Sequence, residues 1–226
     1  TGWVQVGSAV LLVIIAVIAL VTTDGEPMLQ RWVGFMFLGL LAAYLYVTYL
    51  WAKQGTDLSV EEEVSEHELM SLGKSWTLVI GGLVMVIIGA RILVPSASEI
   101  AIRFGVPDDV IAATMVAFGT SLPELMTAIA AIRKGHPEIT VGNIVGADVL
   151  NVLFVIGAAA AAVPLAIPAN FYYFHFPAML IILFSFRVFI SMNREGVFHR
   201  WQGAWLLGVY LTYVVLQYAL NIGAAH

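Results

Sequence analysis

Glu124 sits in Gly119-Thr120-Ser121-Leu122-Pro123-Glu124, inside a run from Val110 to Ile132 that carries no other charge and is long enough to span a bilayer. A carboxylate at that depth costs about 2.5–3.5 kcal/mol on insertion scales, so its default reading is a cation or proton site. Asp148 is the other acid in the middle of an apolar run, and Asn151 follows it at i,i+3, where the two can share a helix face. Glu124 and Asn151 fall near the centres of successive runs, the depth at which transporters bind substrate. Thr120 and Ser121 add hydroxyl oxygens. Pro123 cannot donate to the carbonyl of Gly119, and Gly119 itself loosens a helix, so the carbonyls of Ala117 and Phe118 are expected to be released from normal pairing. Gly142 and Gly146 play the same part before Asp148. Oxygen-only donors suit hard cations such as calcium, which takes six to eight oxygens. Histidine gives no case for zinc or copper: His67, His136, His199 and His226 lie in connections or at the end, and His175 near the end of a run.

These residues must be positioned by membrane-spanning helices. The chain of 226 residues is 61% hydrophobic and 11% charged, with mean hydropathy +0.93, which excludes an ordinary soluble domain. Seven spans are predicted, at about 3–22, 31–52, 76–103, 108–132, 139–163, 171–191 and 202–221, with a kink or break at Pro95 in the third. Gly105-Val106-Pro107 and Lys134-Gly135-His136-Pro137 mark tight turns. Residues 53–75 carry Asp57, Glu61, Glu62, Glu63, Glu66 and Glu68 and form an acidic linker without EF-hand spacing. Trp3, Trp51, Trp76, Tyr172, Tyr173 and Trp201 cluster at span ends as an interfacial belt. Lys53, Lys74, Arg133, Lys134, Arg187, Arg194 and Arg200 lie on one side, against Arg31 and Arg103 on the other. That bias puts the linker in the cytoplasm, the first residue inside and the last outside. There is no cysteine, and a net charge of −5 suits no nucleic acid. The first run reads as a spanning helix rather than a signal peptide, and the chain is expected to begin within a larger one.

Val116-Ala117-Phe118-Gly119-Thr120-Ser121-Leu122-Pro123-Glu124-Leu125, followed by Gly142-Asn143-Ile144-Val145-Gly146-Ala147-Asp148-Val149-Leu150-Asn151, resembles the α-repeat of the cation/calcium exchanger superfamily. The resemblance is to prokaryotic sodium/calcium exchangers, and Arg200-Trp201-Gln202-Gly203 is similar to the start of their final helix. It implies an all-α integral membrane fold with about seven transmembrane helices, the last five forming one inverted-repeat half of a ten-helix exchanger. Residues 1–52 would then be two helices ending the first half, 53–75 a cytoplasmic linker, and 76–226 the five-helix half with the second repeat. Carried over by position, Glu124 matches the family's buried glutamate and Asn151 its partner, while Ala117, Thr120 and Ser121 match positions that offer oxygens to sodium. This chain departs from the pattern in two ways. Ala147 replaces the usual serine, and the acid stands one turn early, at Asp148, with Asn151 where aspartate is common.

The resemblance implies a multi-pass cell-membrane antiporter that exchanges Ca2+ for Na+ by alternating access and needs no cofactor. Proton- or potassium-coupled calcium exchange and a non-transporting membrane assembly subunit remain as alternatives. A single repeat supplies about four to six oxygens, too few for calcium and sodium sites together. The expected partners are therefore the ions, the bilayer, and either a missing N-terminal half with the first repeat or a second copy. An enzyme is not expected, since Ser121 lacks both a histidine base and a Gly-x-Ser-x-Gly setting.

Overall fold

The computed structural model describes residues 2–23, 25–55, 72–106, 108–193 and 198–219. The acidic side chains of the linker, from Asp57 to Glu68, lie outside the described residues, as do Arg194, His67 and His226. Each predicted span is helical. Helices α1 (Gly2–Thr22), α2 (Arg31–Gly55) and α3 (Leu72–Arg103) are continuous. The fourth span is assembled from α4 (Asp108–Ile111), the π-helical π1 (Ala112–Val116), α5 (Ala117–Thr120) and α6 (Leu122–Arg133). The fifth combines α7 (Pro137–Leu150), π2 (Asn151–Ile156) and α8 (Gly157–Ala162). The sixth is π3 (Phe171–His175) with α9 (Phe176–Met192), and the last is α10 (Arg200–Ala219).

Among the described residues, five helices are long and apolar enough to cross a bilayer, or six when the bent pair around Ser121 counts as one span. Helix α10 has the length, but Arg200, Gln202 and Gln217 make it less apolar. Two expectations change. Of the kink or break expected near Pro95, the break does not occur, since α3 is helical on both sides of it; the break falls instead at Ser121. A two-residue antiparallel ladder also joins β1 (Met28–Leu29) to β2 (Leu165–Ala166), pairing Met28 with Ala166 and Leu29 with Leu165. The two predicted turns hold, each with a glycine at positive φ: 73° at Gly105 and 82° at Gly135. A Cβ is disfavoured in that conformation.

The core lies around the fifth span, where α7, π2 and α8 meet α1 and α2. Leu12, Ala16, Val33, Phe37, Val149 and Leu153 are buried there. Helix α2 lies against α8 with backbone in contact: a Cβ on Gly34 would overlap the Ala161 nitrogen and come within 2.6 Å of the Gly157 carbonyl oxygen. Small residues let membrane helices approach this closely, and van der Waals packing then holds them where hydrophobic burial gives no drive. Both ends of α1 are fastened to the sixth span. The Tyr172 hydroxyl donates to the Ala16 carbonyl at 3.1 Å, and the Arg187 guanidinium lies 4.6 Å from the Trp3 ring centre, a favourable cation–π distance. Helix α3 packs chiefly on the α4–α6 span, and none of its apolar window is buried.

Gly34→Ala must push α2 off α8 backbone and is expected to destabilise the fold by about 1–3 kcal/mol. Gly39→Ala, on the same helix but with nothing within 4 Å of its Cβ, is expected to be neutral. Thermal unfolding of the two variants in detergent measures the difference.

Candidate cation site

The fourth span breaks at Ser121, where the segments Thr114–Thr120 and Leu122–Arg133 meet at 55°. The break follows from sequence: Pro123 has no amide hydrogen, and Gly119 stands where α3 approaches closely. A Cβ on Gly119 would overlap Val94 Cγ2. Ser121 adopts φ −95° and ψ 6° and ends one helix as it begins the next. The carbonyl end of α5 and the amide end of α6 therefore meet at this point. A helix carboxyl end inside a membrane attracts a cation.

The carbonyls near the break are not released as expected. The Ala117 oxygen accepts from the Ser121 amide at 3.1 Å and from the Thr120 hydroxyl at 3.0 Å. The Phe118 oxygen accepts the same Ser121 amide at 3.2 Å. The turn tightens so that one amide serves two carbonyls. The Phe118 oxygen, accepting only a share of that amide, keeps most of its lone-pair capacity, since a carbonyl carries two lone pairs.

Glu124 lies in the first turn of α6 and is half-buried. Its Oε2 is buried with no hydrogen-bond partner among the described residues, a costly state for a carboxylate oxygen unless something positive reaches it. Asn143 on α7 donates from Nδ2 to the Glu124 backbone carbonyl at 3.2 Å, and the Thr140 hydroxyl reaches the Ala128 carbonyl at 3.4 Å. These two bonds set the antiparallel register of α6 and α7. Side chains on a helix lean toward its amino end, so Glu124 leans toward the break. Asn143 carried no role in the sequence-based reading, although it stood in the glycine-flanked segment that pointed to the site.

Asp148 lies about 60° around the helix from Asn151 and roughly 140° from Asn143, at 100° per residue. Its carboxylate faces α1, where the Gln5 side-chain amide donates to Oδ2. Gln5 is buried, 1% exposed, and the residue was not foreseen because a lone glutamine near the start of an apolar run carries no spacing signal. Asn151, Ala117, Thr120 and Ser121 are all exposed, so the oxygens near the break face outward from the described part of the chain. Among the described residues, no three Asp, Glu or His side chains gather in a group able to hold a metal ion. A cation here would depend chiefly on carbonyl, hydroxyl and amide oxygens around one carboxylate.

Both site helices carry a π-helical segment beside the break or its partner. π1 ends immediately before Ala117, and π2 begins at Asn151. Such wide turns recur at functional sites because they disturb the regular carbonyl pairing.

A family model described as sodium/calcium exchanger protein matches residues 74–219, well over half of the chain. The chain belongs to that family. It is a family of membrane ion exchangers, not of enzymes, and the protein is accordingly a multi-pass membrane protein. The sodium/calcium exchanger MaX1 of Methanosarcina acetivorans is 34% identical over 58% of this chain and 37% of its own length. The inner membrane protein YrbG of Escherichia coli K12 is 30% identical over 93% of this chain and 66% of its own. A solved structure of the sodium-calcium exchanger NCX_Mj, soaked with Na+ and Sr2+, superposes with a TM-score of 0.64 at 27% identity, covering 93% of this chain and 64% of that one. The chain thus spans between about a third and two thirds of the length of these family relatives.

The Gln5–Asp148 bond predicts a graded mutational response. Asp148→Asn keeps an oxygen that accepts from Gln5 and is expected to melt close to the parent. Asp148→Leu, which leaves the buried Gln5 amide without its partner, is expected to lose about 1–3 kcal/mol. Melting curves of both variants, with circular dichroism to confirm helix content, decide it.

Proposed function

We propose that this chain is part of a cation antiporter that exchanges Ca2+ for Na+ across the membrane, with no cofactor. Glu124 is the ligand that carries the charge. The observation that carries this proposal is the buried, unpartnered Glu124 Oε2 beside a helix break, in a chain of the sodium/calcium exchanger family. Ala117 offers its backbone carbonyl, Thr120 and Ser121 their hydroxyls, and Asn151 its amide oxygen. Asp148, held by Gln5 one turn before Asn151, adds negative charge to the field at the site. Oxygen ligands of this kind suit both ions, and competition for the same oxygens couples the release of one to the binding of the other. No covalent step is needed.

The exposed site oxygens support a second element of the proposal. The remaining ligands come from an opposing repeat, in the remainder of an exchanger or in a second copy of this chain. Alternating access then follows from moving one side of the site against the other.

Glu124→Gln in the complete exchanger is expected to abolish sodium-gradient-driven 45Ca2+ uptake into vesicles while leaving the protein folded. Retention of parental flux by a well-folded variant would overturn the assignment. Replacing the sodium gradient by a potassium or proton gradient in the same assay identifies the coupling ion. The purified chain reconstituted by itself is expected to give no sodium-driven uptake. Robust uptake would mean that two copies complete the site.

A further inference from the structure

Arg187 is the one charged residue of α9. It stacks on Trp3 and makes no hydrogen bond or ion pair among the described residues. Its Nε is buried without a partner, while the side chain as a whole is half-buried, so the terminal nitrogens are the part left open. The guanidinium rests on the first turn of α1, where Nη1, Cδ and Cζ would lie 3.3, 3.4 and 3.5 Å from a Cβ on Gly2. That turn contains no acidic residue. The amino end of a helix carries positive partial charge, so α1 adds to the charge of the arginine instead of cancelling it.

Ring contacts fix the depth of this cation. Phe198 stacks on Phe186 with centroids 5.6 Å apart, and Trp201 meets Phe189 edge-on at 5.2 Å. Arg187 falls between those two α9 rings, so it is level with His199 and Arg200 at the polar start of α10. Trp3 and Trp201 flank the same level, and tryptophan favours the boundary between headgroups and hydrocarbon. The arginine therefore lies at the membrane surface on the side richer in lysine and arginine.

An unpaired guanidinium at that boundary calls for an anion, since a partly buried cation without one is costly. Its planar fork matches two oxygens of a phosphate. Phospholipid phosphates are the anions fixed at this depth, and an anionic headgroup carries no ammonium of its own to compete with the arginine. We propose that Arg187, held in place by Trp3, binds the phosphate of one anionic phospholipid in the leaflet on that side. The proposal depends neither on Glu124 nor on transport, so its failure would leave the flux experiments standing.

Native mass spectrometry of the delipidated chain in detergent tests it, with dioleoylphosphatidylglycerol and dioleoylphosphatidylcholine as probes. The parent is expected to bind the first lipid about tenfold more tightly than the second, the value of one charge-assisted contact. Arg187→Gln is expected to lose that preference. Arg133→Gln, which removes an exposed cation from the same side, is expected to keep it. The complete exchanger is expected to show the same preference as the chain.

Equal binding of the two lipids by the parent would overturn the proposal, as would a preference that survives Arg187→Gln. Displacement of the lipid by inorganic phosphate at equal concentration would also overturn it, by assigning the site to a soluble anion. A preference present in the chain but absent from the complete exchanger would overturn it by showing Arg187 covered there. Where Arg187→Gln does not fold, Arg187→Lys decides. It keeps the charge but loses the fork, so parental affinity in that variant would overturn the proposal.

Discussion

The close approach of α2 to α8 is the constraint on which the other packing depends. In a bilayer, lipid tails compete with every apolar side chain, so helices stay together through contact area and hydrogen bonds. Gly34 and Gly157 remove the side chains that would separate the two backbones, and Phe37 and Val33 close over the contact. Helix α1 packs against α7 and α9, fastened by Tyr172 at one end and by Arg187 on Trp3 at the other. Gln5 is thereby brought against Asp148. The fifth span carries both contacts, Asp148 toward α1 and Gly157 toward α2.

The broken fourth span has the opposite character. It touches α3 and α7, while no residue in the apolar stretch of α3 is fully buried. Two side-chain-to-backbone bonds, from Asn143 and Thr140, hold α6 to α7. The packed body and the thinly held break meet at α7, which carries Asn143 toward the break and Asp148 toward the body. A transport site needs this combination of a firm reference surface and a neighbour that can shift.

Much of this was legible in the sequence because the signals were chemical and local. Apolar length placed the helices, Gly105 and Gly135 marked their turns, and the segment from Gly119 to Glu124 is where the fourth span breaks. What escaped depended on tertiary contact. Pro95 was expected to interrupt α3, yet the helix continues; the proline that matters is Pro123, where a close neighbour and a glycine act together. The Ala117 and Phe118 carbonyls were expected to be free, but a tight turn at Ser121 re-pairs them. Asp148 was grouped with Asn151 by spacing alone, and only the position of α1 shows that Gln5 claims its carboxylate. Gln5 and Asn143 are polar residues in apolar helices, and nothing in their spacing says which neighbour each will meet.

The π-helical segment from Asn151 to Ile156 has a mechanical meaning. A π-turn amounts to one residue inserted into a helix, and the wider turn absorbs it, so the α-helical segments on either side keep their relative phase. Before the bulge, the helix turns Asn143 toward α6; after it, Gly157 and Ala161 face α2. Deleting a single residue from the wide turn would restore regular winding with the glycine face still toward Gly34, whereas a deletion between Asn143 and the bulge would turn that face away by about 100°. The site end and the packing end of this helix are therefore not independent, because their relative azimuth is set by the residue count between them.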